Sequence, residues 1–159
     1  MLTGLKIIHT LKEDKLKQEK HNMTKTEIEQ RKAWKKEHMQ KIKETYEKIN
    51  LKDMYDFAKK VAEQQAQKEL DKYSDGEPEF SCGFAWVNVY GLRKNSKLVK
   101  KFEEIGFEWN DYKKCLGMSS YDILDYNGQC IMVKEAGCEA FATACRQYGL
   151  NIFAGSRLD

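Results

Sequence analysis

The residue types that most often bind metals are kept apart in this sequence. The three histidines, His9, His21 and His38, precede residue 40, whereas all five cysteines follow residue 80. No C-x2-C or H-x3-H spacing occurs, so the sequence contains no zinc-ligand pattern. The cysteines instead lie within apolar runs, which predicts reduced and buried thiols. We therefore expect neither a metal ion nor a bound cofactor.

Nucleophilic catalysis also lacks its usual residues. A Ser or Cys nucleophile needs a base within hydrogen-bonding reach, and the second half of the chain contains no histidine. Glu135, Glu139, Asp122 and Asp125 remain as acid or base candidates, although their spacing brings no pair together. Neither a GxxxxGK[ST] nor a GxGxxG phosphate loop is present. The sequence therefore predicts a protein that is not an enzyme.

Positive charge is concentrated at the start of the chain. Residues 1–52 carry 14 Lys+Arg and 8 Asp+Glu, residues 53–78 carry 4 and 7, and residues 79–159 carry 10 of each. A basic segment can neutralise nucleic-acid phosphates. Interspersed Lys and Glu are also the ordinary pattern of a solvated helix, and both interpretations stay open. The predicted contact residues for nucleic acid or a protein partner are Lys32, Trp34, Lys35, Lys36, Met39 and Lys43.

An aromatic strand is the second feature that suggests nucleic-acid binding. Phe84 and Trp86 alternate within Phe80–Tyr90, and RNA-recognition sheets stack bases on aromatic side chains of a central strand. The favoured alternative is that both rings lie in the core, because the other residues of this run are also apolar. Exposure of the rings would instead make the compact domain the contact surface.

The C-terminus suggests a small-ligand site. Asp159 brings two carboxylates close to Arg157, and the turn Tyr126–Gln129 offers further polar groups. The alternative interpretation is a frayed tail. The candidate residues, which would bind or hydrolyse a small nucleotide, are Gln129, Lys134, Glu135, Arg157 and Asp159.

Two segments position these residues: a charged helical arm over residues 1–75 and a compact domain over residues 80–159. Thr24 with Glu27 forms a capping-box signature, and Asn50 is expected to cap a second helix that ends near Tyr73. The apolar stripe of the first helix either packs on its own domain or binds a partner, including a second copy. Its residues are Trp34, Met39, Ile42, Tyr46 and Ile49.

The segment Ser74–Pro78 holds the only proline and marks the predicted boundary. Beyond it the order is β-α-(β)-β-α-β, which predicts an α+β domain of ferredoxin-like order. The predicted elements are strand Phe80–Tyr90, helix Lys97–Ile105, a strand or turn over Phe107–Lys113, one strand or two short ones over Cys115–Tyr126, helix Lys134–Tyr148 and strand Asn151–Ala154. Because the first strand is apolar on both faces, we expect helix Leu51–Tyr73 to cover the face left open by this fold.

Several ordered motifs, C-G-F-A-W-V from Cys82, Y-N-G-Q from Tyr126 and A-G-S-R-L-D from Ala154, resemble a family of small, uncharacterised tailed-phage proteins. The resemblance covers residues 80–159 and implies a phage origin, with the host cytoplasm or the virion as location. No apolar run reaches the ~18–20 residues of a membrane span, so no membrane partner is expected. The predicted function is a non-enzymatic phage accessory protein that binds nucleic acid or a protein through its basic arm. The alternatives are a minor virion structural protein and a small-nucleotide binding protein.

Overall fold

The computed structural model describes residues 24–73 and 82–159. The predicted boundary Ser74–Pro78 and the basic residues before Thr24 lie outside these ranges. The chain divides into two compact units, Met1–Gln40 and Lys41–Asp159. The helix that begins at Leu51, which the sequence placed in the arm, thus belongs to the same unit as the sheet.

Both predicted helix caps at the start of the described chain are confirmed. Helix α1, Lys25–Lys48, begins after Thr24, whose Oγ1 accepts from the Glu27 N–H at 3.3 Å while its own N–H donates to Glu27 Oε2 at 2.8 Å. Helix α2, Leu51–Leu70, begins after Asn50, whose Oδ1 accepts from the Asp53 N–H at 3.4 Å. These bonds satisfy backbone donors that have no partner inside a helix.

The remaining elements form a mixed α+β arrangement around a four-stranded antiparallel sheet. In chain order they are β1 Gly83–Val89, α3 Lys97–Glu103, β2 Glu108–Asn110, β3 Cys115–Ser119, α4 Ser120–Ile123, α5 Ile131–Gln147 and β4 Ile152–Leu158. The strands lie in the order β2-β3-β1-β4, and all three neighbouring pairs are antiparallel. The prediction of an α+β class is therefore confirmed.

The last strand is longer than predicted. The expected strand Asn151–Ala154 continues to Leu158, and it pairs with all of β1 from Gly83↔Leu158 to Val89↔Ile152. The residues after Ala154 are mostly polar, so the sequence shows no apolar alternation there that would predict a strand. An edge strand needs none, because backbone hydrogen bonds hold it and its polar side chains can face solvent. The alternative interpretation of a frayed tail is therefore wrong as far as Leu158, which is part of the sheet.

Of the one strand or two short strands predicted over Cys115–Tyr126, the structure forms a single short strand, β3, followed by the helical turn α4. The strand ends at Ser119, whose Oγ accepts from the Tyr121 N–H at 3.3 Å and so caps the single turn of α4. A serine that begins a helix competes effectively with continued strand pairing, because its side chain satisfies a free N–H.

The hydrophobic core lies on one face of the sheet. Ala85, Val87 and Val89 are at most 3% exposed, and their strand contacts α5, whose Phe141 is fully buried. Helix α2 packs on α5 as a further layer, with the Tyr55 and Phe141 rings 5.9 Å apart. The expectation that this helix covers the open face of the sheet is therefore wrong. Small buried residues on both helices allow them to pack directly; they are Ala58, Ala62 and Ala66 of α2 and Gly137, Cys138, Ala142, Ala144 and Cys145 of α5.

The C-terminal part of α1 packs on the body of its own unit. The Tyr46 side chain is 1% exposed; its hydroxyl accepts from the Asn151 N–H at 2.6 Å and donates to the Tyr90 carbonyl at 3.2 Å. Ile42 and Ile49 pack beside it. Three residues of the predicted stripe, Ile42, Tyr46 and Ile49, therefore pack on their own unit, which was one of the two predicted alternatives.

Candidate functional site

The side chains of β1 alternate between the core and the opposite side of the sheet. Gly83, Ala85, Val87 and Val89 point toward α5, so Phe84, Trp86 and Asn88 point away from it. The register places Arg157 of β4 opposite Phe84 and Gly155 opposite Trp86. We call the surface around Phe84, Trp86 and Asn88 the open face.

The rings of the open face are accessible to solvent. Phe84 is 37% exposed to solvent, and Trp86 is half-buried. Both rings line a shallow depression of about 440 Å³ that also contacts Lys113 and Arg157. The expectation that these rings form the interior of the sheet is wrong, because the helix expected to cover them packs on α5.

Each ring of the open face has a cation over it. The Nζ atom of Lys113 lies 4.5 Å from the centre of the Trp86 ring. The guanidinium carbon of Arg157 lies 5.2 Å from the centre of the Phe84 ring. At exposed sites such contacts contribute about 0.5–1 kcal/mol each, so a flat ligand with a comparable affinity for the ring can displace the cation.

Glycines on the neighbouring strands leave room around Trp86. A Cβ atom built on Gly155 would lie 2.9 Å from Trp86 Nε1, closer than any side chain tolerates without movement. On the other neighbouring strand, a Cβ on Gly117 would lie 3.4 Å from Asn88 Oδ1, which is ordinary contact. Gly155 thus allows the indole ring to lie directly against β4, whereas Gly117 lines the depression and adds no side chain to it.

Polar groups complete the depression on the side of β2. Glu108 and Asn110 are exposed, and Asp122 of α4 lies on the rim. The Asn110 Oδ1 accepts from the Lys113 N–H at 2.8 Å, which fixes the turn that carries Lys113. Asn88 is 8% exposed, and its Oδ1 accepts from Cys115 Sγ at 3.6 Å. Burial raises the pKa of the Cys115 thiol, so it remains protonated and donates this bond.

The five residues predicted to bind a small ligand do not surround a common opening. Lys134 is fully buried. Glu135 accepts a hydrogen bond from the hydroxyl of Ser156, whose neighbour Arg157 points to the opposite side of the sheet. The Asp159 N–H donates to the Cys82 carbonyl at 3.3 Å. Gln129 is exposed in the segment before α5.

Lys134 has a structural environment that its sequence position did not reveal. Its ammonium group donates to the Gly83 carbonyl and to the Tyr121 hydroxyl, both at 3.0 Å. It also lies 4.7 Å from the centre of the Tyr121 ring. Within the described ranges no carboxylate pairs with it. The side chain therefore ties the first turn of α5 to β1 and α4.

The predicted contact residues of the first helix are accessible. Trp34 is 63% exposed and stacks on His38 with ring centres 5.0 Å apart. Lys43, in the second unit, lies 3.7 Å from Glu47, an exposed pair of small energetic value. The remaining predicted contact residues are all exposed: Lys32, Lys35, Lys36 and Met39.

Four of the five cysteines are buried thiols, as predicted, whereas Cys82 is exposed. Burial raises the pKa of Cys138 and of Cys145 to about 12, because the thiolate would lose its hydration. Both remain protonated at neutral pH and are poor nucleophiles.

Sequence reasoning missed Lys113, Glu108 and Gly155 as parts of the open face. Their positions depend on strand register, which the sequence does not specify for β2 and β4. The alternation of Phe84 and Trp86 was the one local signal, and it identified the correct strand. In residues 24–73 and 82–159, no helix combines the length and apolar character needed to cross a membrane.

Comparison of the sequence with protein-family models and with curated proteins, and comparison of the fold with solved structures, found no match. No relative therefore supplies a function for the open face. The proposals that follow depend on the contacts, charges and exposure of the described residues.

Proposed function

We propose that the protein binds single-stranded nucleic acid on the open face, where two bases stack on Phe84 and Trp86. The observation that carries this proposal is the pair of accessible rings on a central strand, each with a cation over it. Aromatic side chains of this kind bind unpaired bases, and stacking contributes about 1–3 kcal/mol per base.

The spacing of the two rings suits splayed bases. Residues i and i+2 of a strand are separated by roughly 6.6–6.8 Å, about twice the separation of stacked bases. Each ring has its own cation over one face, so each ring is proposed to take one base on that face, with the two bases side by side. A duplex offers no free base faces, so the open face selects single strands.

Lys113 and Arg157 have a second role in this proposal. Bases that stack on Trp86 and Phe84 displace the two cations from the rings, and the cations then neutralise adjacent phosphates. Two such contacts on a single strand predict a slope of about −1.4 in log affinity against log salt concentration. The affinity therefore depends only moderately on salt concentration, because the domain that carries the open face has equal numbers of acidic and basic residues.

A ferredoxin-like class for this domain is consistent with the proposed binding of single-stranded nucleic acid. We propose that class for residues 82–159 because they form a mixed α+β arrangement with a four-stranded antiparallel sheet. Sheets in RNA-recognition modules of that class bind bases on their uncovered face. The motifs of residues 80–159 support a phage accessory protein that acts in the host cytoplasm without catalysis. These assignments are part of the proposal.

The first helix is a second candidate surface for the same or another macromolecular partner. Its exposed Trp34–His38 stack is flanked by the exposed lysines Lys32, Lys35 and Lys36. Aromatic side chains such as Trp34 are enriched in partner contacts, and the lysines beside it could contact an acidic partner or phosphates. Replacing the three lysines by glutamate in the full chain tests whether this surface adds to the affinity.

The decisive experiment is a titration of the full chain against fluorescently labelled seven-nucleotide RNA and DNA strands, a duplex and mononucleotides. We expect binding of the single strands, and a tenfold or greater loss for Phe84→Ala or Trp86→Ala. Phe57→Ala is the matched control, since Phe57 is a 42% exposed aromatic on α2, away from the open face.

Unchanged single-strand affinity in Phe84→Ala and Trp86→Ala, with both variants folded by circular dichroism, would rule out the open face. If the triple lysine variant alone then loses binding, the first helix is the contact surface. Tight binding of mononucleotides without binding of strands would instead favour a small-nucleotide protein.

A further inference from the structure

We infer that the open face prefers guanine, and that Glu108 recognises it by accepting hydrogen bonds from the base edge. This inference rests on the proposed stacking of bases on Phe84 and Trp86. It adds a specificity that stacking alone does not provide, because every base has an aromatic face.

Strand register places Glu108 on the open face. Glu108 lies opposite Gly117 of β3, and Gly117 lies opposite Asn88 of β1. Residues directly opposite each other in antiparallel strands share a face, so Glu108 is on the same side as Trp86. Neighbouring strands are roughly 4.8 Å apart. The Glu108 backbone therefore lies about 10 Å to the side of Asn88, a separation that a purine and a glutamate side chain span together.

On the intervening strand, the position between Glu108 and Asn88 is a glycine, and Ser119 lies one pair further along, opposite Trp86. Gly117 occupies the position opposite both Glu108 and Asn88, and it has no side chain. Glu108, Gly117 and Trp86 all line the same depression. A base on Trp86 can therefore extend its edge over Gly117 toward the carboxylate.

The charge of Glu108 also needs an explanation on a face that binds nucleic acid. The side chain is exposed and forms no hydrogen bond or ion pair within residues 24–73 and 82–159. A carboxylate repels phosphates, so an unpaired one on this face lowers affinity unless it contacts a base. A carboxylate only accepts hydrogen bonds, which restricts it to base edges that donate.

Guanine fits this requirement best among the bases. Its Watson–Crick edge carries two adjacent donors, N1–H and N2–H, which match the two oxygens of a carboxylate. Adenine and cytosine each carry one amino donor beside a ring acceptor. Uracil and thymine carry one N3–H between two carbonyl oxygens, which a carboxylate repels. A bidentate contact of this kind discriminates between bases by about tenfold or more.

The test compares seven-nucleotide strands that contain six uridines and one central guanosine, adenosine, cytidine or uridine. For the unmodified protein we expect at least a tenfold tighter complex with the guanosine strand than with the all-uridine strand. Glu108→Gln keeps the size of the side chain but removes one acceptor and the charge. We expect this variant to lose the preference and to bind the all-uridine strand as well as or better than before.

Asp122→Asn is the matched control because it removes one negative charge from the rim without altering β2. We expect it to change the affinity for all four strands by the same factor. The inference is overturned if the unmodified protein binds the four strands equally, or if Glu108→Gln keeps the preference for guanosine. Equal binding that Trp86→Ala abolishes would leave the proposed function standing, whereas failure of every strand to bind would remove both.

Discussion

The two faces of β1 use alternate residues of one seven-residue strand for different purposes. Val87 and Val89 are fully buried against the helical layer, whereas Phe84 keeps more than a third of its surface in contact with solvent. Burial of a valine or a phenylalanine contributes about 1.5–3 kcal/mol. The exposed aromatic face lacks much of this stabilising free energy, and the contacts of its rings with the two cations restore only a small part of it.

The contrast shows how a function can be inferred without a relative. Exposed large apolar groups that lie together are informative, because isolated ones are normal on any protein surface. Phe84 and Trp86 share one face, one depression and one arrangement of overlying cations. The buried face therefore accounts for folding, and the open face is free to account for binding.

The difference between the buried face and the open face of β1 is tested most strongly by placing the same charge on each face. We expect Val87→Asp to prevent cooperative folding, because it buries a carboxylate without a partner at a cost of several kcal/mol. Phe84→Asp should change the free energy of unfolding by no more than about 1 kcal/mol. Urea unfolding monitored by circular dichroism measures both. A similar loss in the two variants would show that the open face is part of the core.

A smaller effect is expected at Tyr46, which joins α1 to the sheet. Tyr46→Phe removes the hydroxyl and leaves the Asn151 N–H and the Tyr90 carbonyl without this partner. The expected loss is about 1–3 kcal/mol in the free energy of unfolding. Chemical denaturation at pH 7 measures it, and Tyr112→Phe, at an exposed tyrosine, is the control.

Tyr46 also predicts a dependence on pH. Burial raises the pKa of its hydroxyl above the ordinary value of 10, although the Asn151 N–H opposes that shift. As the pH rises past 10, the unfolded state therefore ionises first. The stabilising contribution is complete below that pH and is lost as the pH approaches the folded-state pKa. We expect the difference in stability between the unmodified protein and Tyr46→Phe to narrow above pH 10.

The glycines of the open face sharpen the comparison further. Gly155→Ala brings a Cβ to 2.9 Å from Trp86 Nε1, so the indole must move, whereas Gly117→Ala meets its nearest neighbour at 3.4 Å. We expect Gly155→Ala to shift tryptophan fluorescence and to weaken single-strand binding several-fold, with a stability change of about 1 kcal/mol. The Gly117 variant should keep the fluorescence of the unmodified protein. Identical spectra for both variants would contradict the assigned position of the ring.

The smallest effect concerns chemical labelling and leaves stability unchanged. Brief treatment of the native protein with iodoacetamide at pH 8 should label Cys82, which is exposed, well before Cys138 or Cys145. The latter two are buried, and burial raises the pKa of each to about 12, so almost no thiolate is present. Mass spectrometry of the digested protein identifies the labelled site, and equal labelling of all three would contradict the packing of α5.

Local features were predictable from the sequence because they depend on neighbours along the chain. The caps at Thr24 and Asn50, and the alternation within β1, follow from spacing alone. The layer in which α2 lies was not predictable. Its apolar stripe shows that it packs on something, but the choice between the sheet and α5 depends on how closely small residues allow two helices to approach.

The open face likewise has features that the sequence predicts and features that it does not. Phe84 and Trp86 were recognised as aromatic residues of a central strand, but their exposure depends on whether another element covers them. Lys113 and Arg157 reach the rings from a turn and from an edge strand, and only the strand register brings these segments together. The acidic residue at Glu108 has no distinguishing local pattern at all.

Lys134 offers a way to follow motion in the native molecule. Its amine is enclosed between Gly83 and Tyr121, whereas lysines of α1 such as Lys32 face solvent. A reagent that acylates amines can reach it only when the start of α5 separates from β1. The rate of its acylation, relative to that of Lys32, thus reports how often this corner of the molecule opens, and it does so without any change to the sequence.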